Sequence, residues 1–333
     1  MPVKLVEVIR GNTVESIHKG DIVIVNSEGK IVHELGNAGR ITFFRSVAKP
    51  FQAIAALETG IVEEYGLGLN EIALMIASHS GEKEHINTIK GMMEKTGISE
   101  DMLKCGVHEP VNREAAKQLA LKGESPTRLH CNCSGKHIGL IAASKLKNTD
   151  VREYYRESHE IQKDIKSIIS EFCNVELEEM ETGVDGCGLP IYAVPLKNIA
   201  LSYANLCDME FKKGKYSKSQ NYVLSAMTMY PEMVAGKGRL DTEIMKKFGD
   251  RMISKAGAEG VYCAGIIGKS IGIAIKIDDG NSRAVGPAIL DILVQMKIID
   301  KSEAEPLKNF WKPPVLNHNK EIVGKIRPVF KLK

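Results

Sequence analysis

The sequence predicts an α+β fold: an antiparallel sheet built from both ends of the chain, packed with helices, plus a central, mostly helical region. Three observations carry this. β-Branched residues in partial alternation fill residues 3–36. Alternating or continuous apolar runs return at residues 261–278. Between them lie segments of helical character broken by short polar loops.

The elements follow in order. Val3 to Arg10, Thr13 to His18, Asp21 to Asn26 and Lys30 to Leu35 read as strands. Gly11-Asn12, Lys19-Gly20 and Ser27-Glu28-Gly29-Lys30 read as turns, the last a hairpin. Ile41 to Phe44 reads as a strand and Pro50 to Thr59 as a helix. An apolar run, Ile72 to Ala77, leads into Ser78-His79-Ser80-Gly81. Helices are expected over 84–95, 111–122 and Ile138 to Lys145, with a long amphipathic helix over 150–173. Asp185 to Pro190 is a tight loop, 191–235 is mostly helical, and 212–218 is a solvated lysine-rich loop. Gly236-Lys237-Gly238-Arg239 precedes another helix. Val261 to Ile267 and Ile271 to Asp278 return to strand, and Ile289 to Ile299 is the final helix. One domain over 1–333 is expected, with the sheet from about 1–45 and 256–300 and the helical region from about 50–255.

Composition removes several function classes. Hydrophobic content of 43% and charged content of 26% are those of a soluble globular protein. The net charge is only +3, and no basic block carries interleaved aromatics, so nucleic acid is not an expected partner. The apolar stretch from Val261 to Ile277 is interrupted by Lys269 and Lys276, so no membrane span is expected. The first residues lack the apolar run of a signal peptide. Seven cysteines, an odd number, suggest reduced thiols, and the cytoplasm is the expected compartment.

Four polar loops carry the chemistry. In Arg45-Ser46-Val47-Ala48-Lys49-Pro50, a serine precedes a lysine by three residues at a strand-to-helix turn. On a helical turn the two share a face, and a neutral lysine can act as base to the serine. The alternative is a helix N-cap at Ser46 and a solvated Lys49, since Pro50 biases Lys49 away from the α region. Ser78 to Gly81 is the second loop. Cys133, His137 and Cys187, with Cys131 nearby, are ligand types for a borderline metal, or buried reduced thiols. Asp185 binds an ammonium group or makes an Asx-turn. Lys255 is a second base or a surface residue. His79 and His85 read as catalytic or, with greater weight, as satisfied structural histidines, and His108 as a loop residue.

Six stretches, in order, resemble the L-asparaginase II family, the class 3 or Rhizobium-type asparaginases. They are Arg-Ser-Val-Ala-Lys-Pro-Phe-Gln at 45–52, Ser-His-Ser-Gly-Glu at 78–82, Cys-Ser-Gly-Lys-His at 133–137, Asp-Gly-Cys-Gly at 185–188, Gly-Lys-Gly-Arg at 236–239 and Lys-Ala-Gly-Ala-Glu-Gly at 255–260. The resemblance implies a fold similar to serine β-lactamases and glutaminases. It implies catalytic roles for Ser46, Lys49, Ser78 and Lys255, and substrate contacts from Arg45, His137 and Asp185. It implies zinc held by Cys133, Lys136 and Cys187. The sequence departs from the family at Cys131, where asparagine or another polar residue is more usual.

The expected function is hydrolysis of the L-asparagine side-chain amide to L-aspartate and ammonia through an acyl-enzyme. Ser46 attacks, and Lys49, or a relay through Ser78 and Lys255, takes its proton. The alternatives are another Ser-Lys amidohydrolase, a glutaminase or peptidase, or a non-catalytic binding protein of the same fold. The expected partner is a small-molecule substrate, and the expected assembly is a homodimer.

Overall fold

The computed structural model describes residues 1–332. Eleven strands carry the labels used below. They are β1 (Val3–Arg10), β2 (Thr13–Asn26), β3 (Ile31–Leu35), β4 (Ile41–Phe43), β5 (Glu181–Val184) and β6 (Pro190–Pro195), then β7 (Met252–Ala256), β8 (Val261–Ile266), β9 (Ile271–Ile277), β10 (Pro314–Leu316) and β11 (Ile322–Pro328). The main sheet runs β10-β11-β1-β2-β9-β8-β7, with β3 also paired to β2. Every pairing is antiparallel. The α+β expectation holds, and strands from the two ends meet where β2 pairs β9, Ile22 opposite Ile275.

Both faces of the sheet are buried. Successive side chains on a strand point to opposite faces, so the run Ile22-Val23-Ile24-Val25 feeds two cores. Val23 and Val25 face the central helices. Ile22 and Ile24 face a second cluster with Ile289, Leu293 and Trp311. On the first face, Leu196–Leu206 lies so close to β9 that a Cβ on Gly272 would stand 1.8 Å from the Ala200 carbonyl oxygen. A side chain there would push helix and sheet apart.

Several expectations are corrected. Lys19-Gly20 is not a turn; β2 continues through it to Asn26. Gly20 is there because a Cβ would meet the Lys276 carbonyl oxygen at 2.4 Å. The helix expected over 150–173 begins only at Glu160, where the His159 Nδ1 accepts the Ile161 N–H. Residues 190–195 are strand rather than helix: β6 pairs with β4 and β5 in a second, three-stranded sheet. The final long helix is Val285–Gln295, not Ile289 to Ile299, and shorter helices follow it. The sheet also extends past residue 300, because β11 pairs with β1, Val8 opposite Ile326. Among the described residues no helix is long and apolar enough to cross a membrane.

Candidate active site

The turn Arg45–Ala48 is a 3₁₀ helix that runs directly into the α-helix Lys49–Leu57. Lys49 is helical, at φ −60° and ψ −35°, and its N–H donates to the Ser46 carbonyl. Pro50 does not break this, because its missing N–H falls in the first turn, where no intrahelical partner exists. Arg45 takes φ +51°, a left-handed conformation uncommon for a side chain of this size.

Lys49 is buried, and its amine turns inward. Nζ donates to the Ala77 carbonyl at 2.6 Å and to Ser78 Oγ at 2.9 Å. The helix Leu69–Ile76 ends at Ala77, which is extended at ψ 148°. A buried carbonyl at such a helix end needs a partner, and Lys49 supplies it. Ser46 is half-buried, and among the described residues its Oγ makes no hydrogen bond. The lysine one turn after Ser46 thus hydrogen-bonds Ser78.

Ser78 is held in place by its neighbours. Its N–H donates to the Val234 carbonyl at 2.9 Å, and the His79 N–H donates to the Asn132 carbonyl at 3.2 Å. Ser80 Oγ donates to the Ala235 carbonyl at 2.9 Å and accepts from Arg239 Nη1 at 3.3 Å. Gly236, at φ +140°, makes this contact feasible: a Cβ there would lie 2.5 Å from Ser80 Oγ. The Gly-Lys-Gly-Arg segment therefore packs on the Ser78 loop.

Lys255 completes this centre. It lies on β7, the last strand of the sheet, fully buried. Its Nζ is 3.1 Å from Ser78 Oγ and donates to the Ala256 carbonyl at 2.9 Å. Burial pushes the Lys255 amine down to about 7, and the charges of Lys49 and Arg239 push the same way against Asp241. Ser78 therefore carries two lysines within hydrogen-bond reach.

A second centre adjoins the first. Cys133 precedes the helix Ser134–Leu146, and Lys136 sits in its first turn. Cys187 lies in the loop between β5 and β6. Lys136 Nζ donates to Cys187 Sγ at 3.2 Å, and the Cys133 and Cys187 thiols touch. Burial disfavours charge on Lys136, but the two thiols and Asp185 outweigh it and hold its amine above the ordinary lysine range. Two sulfurs and one amine, from one helix start and one loop, are a donor set suited to a borderline dication. Among the described residues no group of three His, Cys, Asp or Glu is placed to hold a metal, so a site here needs the lysine. Cys131 lies beside this pair, its thiol donating to the Cys105 carbonyl at 3.3 Å.

Arg45 links the centres: its Nε donates to Asp185 Oδ1 at 2.8 Å, and Asp185 Oδ2 is 3.9 Å from Cys187 Sγ. His137 is fully buried, and burial with the nearby Lys136 charge drives it down to about 3, so the ring is neutral. The Tyr154 hydroxyl accepts from the Lys104 N–H at 2.8 Å and shares a hydrogen bond with His137 Nδ1 at 2.6 Å. His137 Nε2 has no partner among the described residues. His79 and His85 are structural. Gly81 N–H donates to His79 Nδ1 and Glu82 N–H to His85 Nδ1, which directs the ring protons to Ser134 Oγ and the Glu232 carbonyl. His108 Nε2 accepts the Asn132 N–H in the same loop. Tyr154, Arg239 and Asp241 were not foreseen as site residues. Arg239 lay in a quoted motif, but no pattern marked the other two.

No curated protein matches the sequence. Among solved structures, native Mglu is 14% identical over 84% of this chain and 65% of its own, with a TM-score of 0.40. This chain therefore spans less than two thirds of that protein. A Bacillus glutaminase is 13% identical over 84% of this chain and 91% of its own, with a TM-score of 0.37. The L-asparaginase II family profile matches residues 6–328, nearly the whole sequence, and the chain belongs to that family.

Proposed function

We propose that this chain is an amidohydrolase that converts the side-chain amide of L-asparagine to a carboxylate and ammonia. The observation that carries this reading is Ser78 Oγ, set 2.9 Å from one buried lysine amine and 3.1 Å from another. A neutral Lys255 has two N–H groups and one lone pair. One N–H donates to the Ala256 carbonyl, and the lone pair accepts the Ser78 proton. Lys49 donates to the same Oγ and stabilises the alkoxide as it forms.

Ser78 Oγ then bonds to the amide carbon while its proton passes to Lys255 Nζ. Lys255 returns the proton to the amide nitrogen as the C–N bond breaks, and ammonia leaves. Water attacks the resulting ester by the reverse route and frees the acid. The Ser78 N–H is taken by Val234, so the oxyanion must find its donors elsewhere. Arg45 and Asp185 present opposite charges side by side, suited to the carboxylate and ammonium of a zwitterionic amino acid.

Cys133, Lys136 and Cys187 would hold zinc, which would supply a fixed positive charge beside Asp185 to orient substrate. Lys136 must give up its proton to serve as ligand. No proton-transfer step above depends on the ion.

A second reading makes Ser46 the nucleophile and Lys49-Ser78-Lys255 its relay. It is favoured by the Ser46 hydroxyl, which is half-buried and not committed to any described partner. Ammonia release from asparagine, with glutamine as control, tests the activity. Ser46→Ala and Ser78→Ala, each trapped with a slow amide or ester, separate the two serines. The acylated residue, located by mass spectrometry, names the nucleophile. No release from any linear amide by zinc-loaded protein would sink the reading.

A further inference from the structure

Asp241 is 2% exposed, in the first turn of the helix Leu240–Phe248. A carboxylate at that depth is costly unless it is paired. Its Oδ2 accepts the Ala256 N–H at 3.0 Å and stands 3.7 Å from Lys255 Nζ. β7 is the last strand of the sheet, so its outward N–H groups have no neighbouring strand; Asp241 takes one of them. Its side chain also lies against the hydroxyl of Tyr262, which in turn lies against Ser254.

We propose that Asp241 is a positioning residue for the reaction, its carboxylate aiming the Lys255 amine at Ser78 Oγ and stabilising the ammonium formed there. This rests on the amidohydrolase reading. The charged and titratable groups that act on Lys255 come from four elements. They are Asp241, Lys49 from the helix Lys49–Leu57, Arg239 from the loop before Leu240, and Cys133 before Ser134–Leu146. Lys49 and Arg239 oppose a proton on Lys255. Asp241 is the strongest group favouring one. When the proton moves from Ser78 Oγ to Lys255 Nζ, positive charge appears 3.7 Å from Asp241 Oδ2. Without that carboxylate the amine is too weak a base for the serine.

The test is Asp241→Asn in the full chain, which keeps an acceptor for Ala256 and removes the charge. The expected result is a fall in kcat of about 10- to 100-fold with KM for asparagine little changed. The acid limb of kcat should move down by about one unit or more, as loss of a close opposite charge requires. Asp241→Glu should recover part of both. A second readout needs no turnover: ¹³C NMR of lysine-labelled protein, with the Lys255 signal identified by its loss in Lys255→Arg. Its titration midpoint should fall in Asp241→Asn. An unchanged midpoint and acid limb in a folded Asp241→Asn protein overturns the proposal and leaves Asp241 as a tie for β7. A shifted midpoint in a protein that hydrolyses no amide supports the coupling and overturns the assigned reaction instead. If Asp241→Asn does not fold, Asp241→Ser, which also removes the charge, carries the test. A folded Asp241→Ser protein with an unshifted midpoint overturns the proposal.

Discussion

Lys255 and Lys136 are both buried, 0% and 3% exposed, and burial is the largest influence on each. Yet Lys255 is driven down to about 7, and Lys136 is held above the ordinary range. The difference lies in the neighbours. Lys255 has one carboxylate at 3.7 Å, opposed by Lys49 and Arg239. Lys136 has Cys187 Sγ at 3.2 Å, with Cys133 and Asp185 beyond it. Burial strengthens local electrostatics without choosing their sign. One amine is thereby suited to accept a proton near neutrality. The other holds its proton unless a metal displaces it.

The largest expected effect comes from removing the atom on which two of the buried lysines converge. Ser78→Ala should lower kcat by about 10³-fold or more while the protein stays folded. Near-normal turnover in the folded variant would shift the nucleophile to Ser46.

Lys255 itself is the next point of attack, and its pH dependence has a definite sign. kcat should rise with pH through about 7 as the amine becomes neutral. Stability follows from the same shift. Below about 7 both folded and unfolded chains hold the proton; between about 7 and the ordinary value of 10.5, only the unfolded chain holds it. Stability should therefore rise with pH across that window, by up to about 1.4 kcal/mol per unit from this one group. Lys255→Met should remove that part of the rise. Urea unfolding of the two proteins at pH 7, 8.5 and 10 reads the difference, and parallel curves would disprove the burial argument.

How much of this was legible beforehand depended on whether a feature is local. The run Ile22 to Val25 reads as strand, and it is one; that both its faces are buried shows only in the fold. Gly20 misled, because a glycine admitted by a close carbonyl looks the same in sequence as one in a turn. The Ser46–Lys49 spacing predicted a shared face, but the lysine follows the acceptors at Ala77 and Ser78, whose position depends on where another helix ends. Cys133, Lys136 and Cys187 were assembled only through resemblance; their spacing alone carried no metal signature. Asp241 gave no signal at all, since an acidic residue in a first helical turn is ordinary.

Lys136 offers the converse test. Lys136→Met keeps the bulk of the side chain and removes the nitrogen donor. If the thiol centre holds zinc, affinity should fall by about tenfold or more, measured by equilibrium dialysis, because one of three protein ligands is gone. kcat should suffer less than in Ser78→Ala. Equal zinc content in native and Lys136→Met protein would remove lysine from the ligand set.

The smallest effect is expected at Cys131. Its thiol is 2% exposed, donates to the Cys105 carbonyl and lies against the Cys133 thiol. It is therefore a satisfied buried thiol beside the donor set. Cys131→Asn introduces an amide that can replace the thiol as donor to the same carbonyl, with some adjustment for its larger volume. Zinc content should stay at the native level, kcat should stay within about threefold, and stability should change by about 1 kcal/mol or less. A Cys131→Asn protein that loses zinc would place this thiol among the ligands and make the donor set three sulfurs and one nitrogen. One that keeps zinc but resists inactivation by peroxide would give Cys131 an oxidative role and leave the ligands as assigned.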